Sequence, residues 1–350
     1  MRFTAFPILA AVPALLALAT GPVLATEDLN LLTWCDHTDP ELFAAFEEAN
    51  DVRVNVKVYE LTGAAESLLA QSAPGDWDVF VVDTADVVRL AGTGLLAPLD
   101  DADLPLDNLF EGARMDGHHV VDGVRYAVPE KFGFNTISYD ETRFGDEDAI
   151  SLRDLFDPAY EGRVAVYDYY WPIMLQLGQM NGIAPDAFSI DDLDTIRDDL
   201  FALKEQSVVV GDIVSTQTAL STGDAVALLG QGEWVAAVAE ELPNLSWTVP
   251  EEGGIRWSQS LALFEGSKRK ELGLALIDYL MSPEGQAKLA TASCYWGFPA
   301  SREAALAEDT AARLGFDRTE AFLDAARPFP AYDPELDAAM IALWTEFLAQ

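Results

Sequence analysis

Apolar and polar positions alternate most cleanly in two long runs. In the first, Ile255, Trp257 and Leu261 are set against Arg256, Ser258 and Ser260, directly after a turn built on Pro250, Gly253 and Gly254. In the second, Phe132 to Tyr139 repeats the pattern. Period-two patterning predicts strands with one buried face. Val52, Val54, Val56 and Val58 alternate with Arg53, Asn55 and Lys57 and predict another. Leu29–Trp34 and Trp77–Asp83 complete a first set of strands, separated by a helix opened by Asp39-Pro40 and carrying Leu42, Phe43 and Phe46, and by a second helix over Ala64–Gln71. Asp122-Gly123 marks a hairpin within Val120–Tyr126.

A second block repeats the rhythm. Strands are predicted at Arg163–Tyr167, Val208–Val210 and Ala225–Leu229, and helices at Trp171–Met180, Leu193–Lys204 and Glu233–Leu242. Helices over Arg269–Met281 and Pro283–Ala292 follow, then a turn through Gly297-Phe298-Pro299 that is expected to lead back to the second block. A last helix spans Pro334–Leu348. The two long alternating runs lie between the blocks, so they predict crossovers between two lobes. The lobes are expected at 26–131 plus 259–298 and at 132–258 plus 299–350. In α/β lobes ligands bind beyond the carboxyl ends of the strands, which points to Trp34–His37 and to Asp83-Thr84.

The amino terminus changes this picture by setting a compartment. Arg2, an apolar run from Phe6 to Leu18 and the small residues before Thr26 read as a secretory leader over residues 1–25, cut after Ala25. Pro7, Pro13, Gly21 and Pro22 interrupt any membrane span, which would need about 20 apolar residues. Asp and Glu number 59 against 21 Lys and Arg, a formal net charge of -38. Nucleic acid is excluded as a partner, because phosphate binding needs a basic face; spread along the chain, the charge reads as a solvated acidic surface. Cys35 and Cys294 are the two cysteines. An oxidising compartment favours a disulfide between them, and two free thiols are the alternative.

Four segments in fixed order carry a family resemblance: Gly94-Leu95-Leu96-Ala97-Pro98-Leu99-Asp100, Ser151 to Arg163, Glu252-Gly253-Gly254-Ile255-Arg256-Trp257, and Ser282-Pro283-Glu284-Gly285-Gln286. With these the chain resembles the extracellular solute-binding proteins of ABC importers, in the spermidine/putrescine-binding branch. The resemblance implies an α/β, two-lobed periplasmic-binding-protein fold of type II. It also implies a monomer in the periplasm that captures a small organic cation by hinge closure and presents it to permease subunits in the inner membrane. No cofactor and no catalysis are implied.

Carried over position by position, the resemblance makes Trp34, His37, Asp83, Asp168, Trp171, Trp257, Gln259 and Phe298 the expected ligand-binding residues, with Tyr295 and Trp296 close by. His37 stands for a usual tyrosine, Asp83 for a serine, and Trp171 and Gln259 for two carboxylates. Burying an ammonium without a counterion is costly, and an aromatic face returns about 2 kcal/mol when desolvated. The substitutions therefore bring in a ligand with one cationic head, such as a quaternary or methylated amine, beside a polyamine. Asp36, Asp83 or Glu233 are available to supply the missing charges. Ferric iron on Tyr169 and Tyr170 with His37 or Asp83 is a further alternative on the same fold. For an enzyme, Cys35 with His37 and the His118-His119 pair lack the third group that such sites need. No phosphate loop is present, and Gly230-Gln231-Gly232 does not make one.

Overall fold

The computed structural model describes residues 27–59, 62–145 and 150–349; the expected leader, residues 1–25, lies outside the described residues. Strand β1 (Glu27–Thr33) runs parallel to β2 (Val52–Val58) and to β3 (Val79–Asp83). A hairpin of β4 (Val120–Val121) and β5 (Val124–Arg125) turns through Asp122-Gly123, where both residues take positive φ as such a turn requires. The remaining strands are β6 (Ala127–Asn135), β7 (Ile137–Asp140), β8 (Val164–Tyr167), β9 (Ser207–Gly211), β10 (Ala227–Leu229), β11 (Leu245–Thr248), β12 (Gly254–Leu263), β13 (Phe298–Pro299) and β14 (Ala326–Pro328).

They form two sheets flanked by helices, one for each lobe. The first runs β13-β6-β12-β3-β1-β2, with β14 added parallel to β12. The second runs β11-β7-β10-β8-β9. Strand β12 lies antiparallel between β6 and β3, so the longest alternating run in the sequence becomes the middle of the first sheet. Helix Pro40–Asn50 begins with the Asp39 carboxylate accepting from Glu41 N and buries Leu42, Phe43 and Phe46, as its apolar stripe predicts.

The chain changes sheets at Thr136 and within 249–253, and after β14 it passes to helix Pro334–Leu348, which packs on the second-lobe helices Tyr170–Met180 and Asp192–Gln206. Strand β6 stays in the first sheet through Asn135 and β12 lies in it from Gly254, whereas the expected lobe limits fell at 131/132 and 258/259. An alternating pattern marks a strand but not the end at which it leaves its sheet. Two expectations are corrected. Phe298-Pro299 does not carry the chain to the second lobe, because β13 pairs with β6 in the first sheet. Glu233–Leu242 is not a full helix: only Glu233–Ala237 forms a 3-10 turn, and four successive residues, Glu233, Trp234, Val235 and Ala236, are buried. A helix with a single apolar face does not offer that environment.

Beside the crossings one apolar core joins the lobes. Phe298 is wholly enclosed and lies 5.6 Å from Phe132, 5.5 Å from Phe134, 5.8 Å from Trp247 and 6.0 Å from Phe322, measured between ring centres. Trp247 belongs to the second sheet and the two strand phenylalanines to the first, so this cluster ties the sheets together on their apolar side. Phe298→Ala is expected to lower the unfolding free energy by about 3–5 kcal/mol, read by urea denaturation, because the cavity is closed in on several sides.

Candidate ligand-binding seam

The loops beyond the carboxyl ends of the strands meet where the lobes face each other. After β1 come Trp34 and the short turn Cys35–His37; after β3 comes Asp83; after β10 comes Glu233. Across the strands, Gln259 of β12 stands beside Asp83 of β3 and Lys131 of β6, and Trp257 stands opposite Gly133. Paired positions on neighbouring strands share a face. The Gln259 face is therefore lined by an amide, a carboxylate and a lysine.

Four charged side chains on this face have no exposed surface: Asp36, His37, Glu130 and Lys131. Asp36 takes a hydrogen bond from His37 Nδ1 at 2.9 Å and one from Lys131 Nζ at 3.0 Å. His37 Nε2 lies 3.3 Å from Glu130. Gln259 Nε2 donates to the two Asp36 oxygens at 3.3 and 3.2 Å. Burial alone would drive the His37 imidazolium to lose its proton, but Asp36 and Glu130 outweigh it and raise its pKa to about 10. Burial likewise opposes the Asp36 charge, yet Lys131 and His37 hold its carboxyl below the usual range. Glu130 is raised, burial outweighing the pull of His37.

Aromatic rings close over this group. The Tyr295 backbone oxygen accepts from Lys131 Nζ at 2.9 Å, and its ring centre lies 4.4 Å from the same nitrogen. Trp257 meets Tyr295 edge to face at 5.6 Å. A disulfide between Cys35 and Cys294, with Cα atoms 6.0 Å apart, ties the Asp36–His37 turn to the Tyr295 segment. Glycine is needed where the rings approach the strand. A Cβ on Gly133 would fall inside the Glu233 carboxylate and the Trp257 ring, and one on Gly297 would lie 2.7 Å from Lys131 Cε and 2.9 Å from Trp257 Cη2.

Glu233 reaches the same place from the second lobe. Its Oε2 accepts from Phe134 N at 2.8 Å, and both its carboxylate and the Trp257 ring lie against Gly133. Burial pushes its pKa to about 8, and burial also pushes Asp83, which caps the turn after β3 through Ala85 N, to about 7. Neither carboxylate forms an ion pair among the described residues. Tyr169, following β8, has its phenol pushed well above the ordinary value by burial and then by the Asp83 charge.

This geometry agrees with what the chain is similar to. The family model of bacterial extracellular solute-binding proteins matches residues 41–315. The chain belongs to that family. The putrescine/agmatine-binding protein of Pseudomonas aeruginosa is 26% identical over 81% of this chain and 80% of its own length. A spermidine/putrescine-binding periplasmic protein of Haemophilus influenzae is 23% identical over 81% and 78%. Among solved structures, the spermidine/putrescine ABC transporter substrate-binding protein of Streptococcus pneumoniae superimposes with a TM-score of 0.79 at 18% identity, covering 92% of this chain and 99% of that one. The two-lobed fold is thus the one the sequence motifs implied.

Within this solute-binding protein the expected ligand residues separate into groups. Gln259 and His37 meet at Asp36, Asp83 stands beside Gln259 on the neighbouring strand, and Trp257 lies against Tyr295. Trp34 is half-buried with its ring 5.5 Å from Tyr59. Asp168 is exposed and accepts from Trp344 Nε1 at 2.6 Å. Trp171 is buried in the second-lobe core, its indole donating to Asp337 at 2.7 Å, and touches the seam only through the Phe329 ring 6.3 Å away. Phe298 is a core residue, because the rings around it leave no face for a ligand; Tyr295, three positions earlier, is the aromatic at the seam.

Glu130 and Lys131 were missed, since the strand was expected to start at Phe132. Two opposite charges at the entry of an apolar strand are the signal that could have found them. His37 gives the seam a pH dependence. A group with a folded pKa raised above 6.5 stabilises fully below 6.5 and loses that contribution as pH climbs through about 10. Asp83 and Glu233, raised to about 7 and 8, act in the same direction at lower pH. Stability measured by urea denaturation is expected to fall steadily from pH 6 to pH 10, and His37→Gln is expected to flatten the upper part of that profile.

Proposed function

We propose that this protein captures a small organic cation of the polyamine type in the seam between its lobes and delivers it to ABC permease subunits, working as a monomer in the periplasm after loss of its leader. The observation that carries the reading is Glu233. It is a buried carboxylate without an ion pair among the described residues, close to the Trp257 ring at the junction of the two lobes. An incoming ammonium supplies the counterion that this carboxylate lacks and gains the indole face as well. Asp83 offers a second such carboxylate. The names of the relatives, putrescine, agmatine and spermidine binders, support the same class.

The lobes act as two bodies hinged at Thr136, at 249–253 and after β14, with a ligand held first by one and then by both. A methylated or quaternary amine is the second reading, supported by the Trp257–Tyr295 corner, which offers aromatic surface that needs no N–H. Iron is disfavoured by the same chemistry. The Tyr169 and Tyr170 phenols are both pushed upward, first by burial, and Tyr170 already donates to Asp337, so phenolate ligands are costly there.

In a thermal-shift series, putrescine, spermidine or a choline-like amine is expected to raise the melting temperature, whereas neutral amino acids and ferric iron leave it unchanged. Trp257→Ala and Glu233→Gln are each expected to weaken binding of the active amine about tenfold or more by titration calorimetry. Binding to the closed form is expected to release protons into the buffer between pH 6 and 8, where its empty Asp83 and Glu233 hold protons, whereas binding from an open form, with both carboxylates already ionised, releases none. An amine affinity indifferent to both substitutions would place the ligand elsewhere.

A further inference from the structure

We propose that the Lys131 ammonium is a tethered occupant of one of two cation boxes in the seam, so that an incoming amine, polyamine or not, is held by one cationic head and gains nothing from a second. The inference rests on the cation-capture reading and narrows how its substrate is held. Lys131 Nζ has what a bound ammonium would have: a carboxylate at 3.0 Å, a carbonyl oxygen at 2.9 Å, an aromatic ring centre at 4.4 Å, and no exposure to water. Asp36 supplies one acceptor for the three N–H donors of a buried ammonium; the carbonyl and the ring supply the surroundings that a bound ammonium also requires.

The second box is next door. Trp257 shares the Tyr295 corner, and a Cβ on Gly297 would touch both Lys131 Cε and the Trp257 ring tip. Glu233 faces that ring without an ion pair. A diamine spanning both boxes would have to set its second ammonium against the Lys131 ammonium, where like charges repel in a desolvated site. With Lys131 in place the first box is neutral, Asp36 and Glu130 being matched by His37 and Lys131. Without Lys131 it carries a surplus negative charge at the position of the missing nitrogen.

Titration calorimetry with putrescine and n-butylamine on the wild type and on Lys131→Ala tests this. The wild type is expected to gain nothing from the second ammonium, and the ratio of putrescine to butylamine affinity is expected to rise about tenfold or more in the variant, the scale of one desolvated cation–aromatic contact. Ethylamine, sized to replace the deleted side-chain end, is expected to raise the melting temperature of Lys131→Ala and to leave that of the wild type unmoved. Lys131→Met in combination with Asp36→Asn, which removes both charges, is expected to show neither the changed ratio nor the ethylamine effect.

An unchanged ratio in a folded Lys131→Ala, or tighter wild-type binding of putrescine than of butylamine by tenfold, overturns the proposal. If the wild type binds neither amine, the cation-capture reading fails by itself. The ethylamine response then decides the first box alone: a rise confined to Lys131→Ala upholds it as an ammonium site, and no rise rejects it.

Discussion

The structure depends on keeping four charges dry. Asp36, His37, Glu130 and Lys131 meet without exposed surface at the end of the first sheet, and only their mutual cancellation makes that tolerable. An unpaired charge in such a place costs several kcal/mol, and removing one member of a buried pair costs about 3–5 kcal/mol. The surrounding design follows from this need. The disulfide pins the turn that carries two of the charges to the segment that carries Tyr295. Gln259 fills the remaining acceptor capacity of Asp36 from β12, and Gly133 and Gly297 let the rings close over the group.

Two kinds of surface therefore meet where the lobes join. On one side, Phe134, Trp247, Phe298 and Phe322 bind the sheets through apolar contact that does not depend on any solute. On the other, the strand ends present the carboxylates and aromatic rings to which cation capture is assigned in the proposed reading. A permanent apolar clasp beside a polar seam suits a hinge: on that reading the clasp keeps the lobes together while the seam sets how tightly they close. Thr136 and the 249–253 turn, the short links between β6 and β7 and between β11 and β12, leave little chain to bend elsewhere.

Most of the fold was legible because alternation and helix caps are local. The valines of β2, the Asp39-Pro40 start and the β12 run each formed the element they predict, although β12 buries both faces, Arg256, Ser258 and Ser260 included, where alternation predicted one. The position of the two long alternating runs between the α/β blocks predicted two lobes, and the motifs agreed with that arrangement. The site was harder. Trp257 and Gln259 were found through the motif, yet Lys131 was not, because a lysine in a strand ordinarily signals an exposed face. Its burial is set by Asp36, almost a hundred positions away in the chain. Phe298 misled for the opposite reason: an aromatic near a crossing has the same sequence signature in a core as in a cleft. Glu233 was available only as a possible charge, since nothing local says that a 3-10 turn would bury four residues in a row.

The unpaired carboxylates explain how capture can be coupled to closure. In an opened seam Glu233 and Asp83 meet water and ionise at ordinary carboxylate values; closed and empty, burial lifts them to about 8 and 7. For Glu233 at neutral pH, moving from the usual 4.5 to about 8 makes empty closure less favourable by roughly 3 kcal/mol even after the carboxylate has taken up a proton. A cation that binds there cancels this cost without the proton. Its differential affinity for the closed form is then of the size needed to move an equilibrium from mostly open to mostly closed. Closing on nothing is discouraged by the same residue that rewards closing on an amine, and the neutral quartet beside it contributes a fixed wall whose charge does not change as the lobes meet.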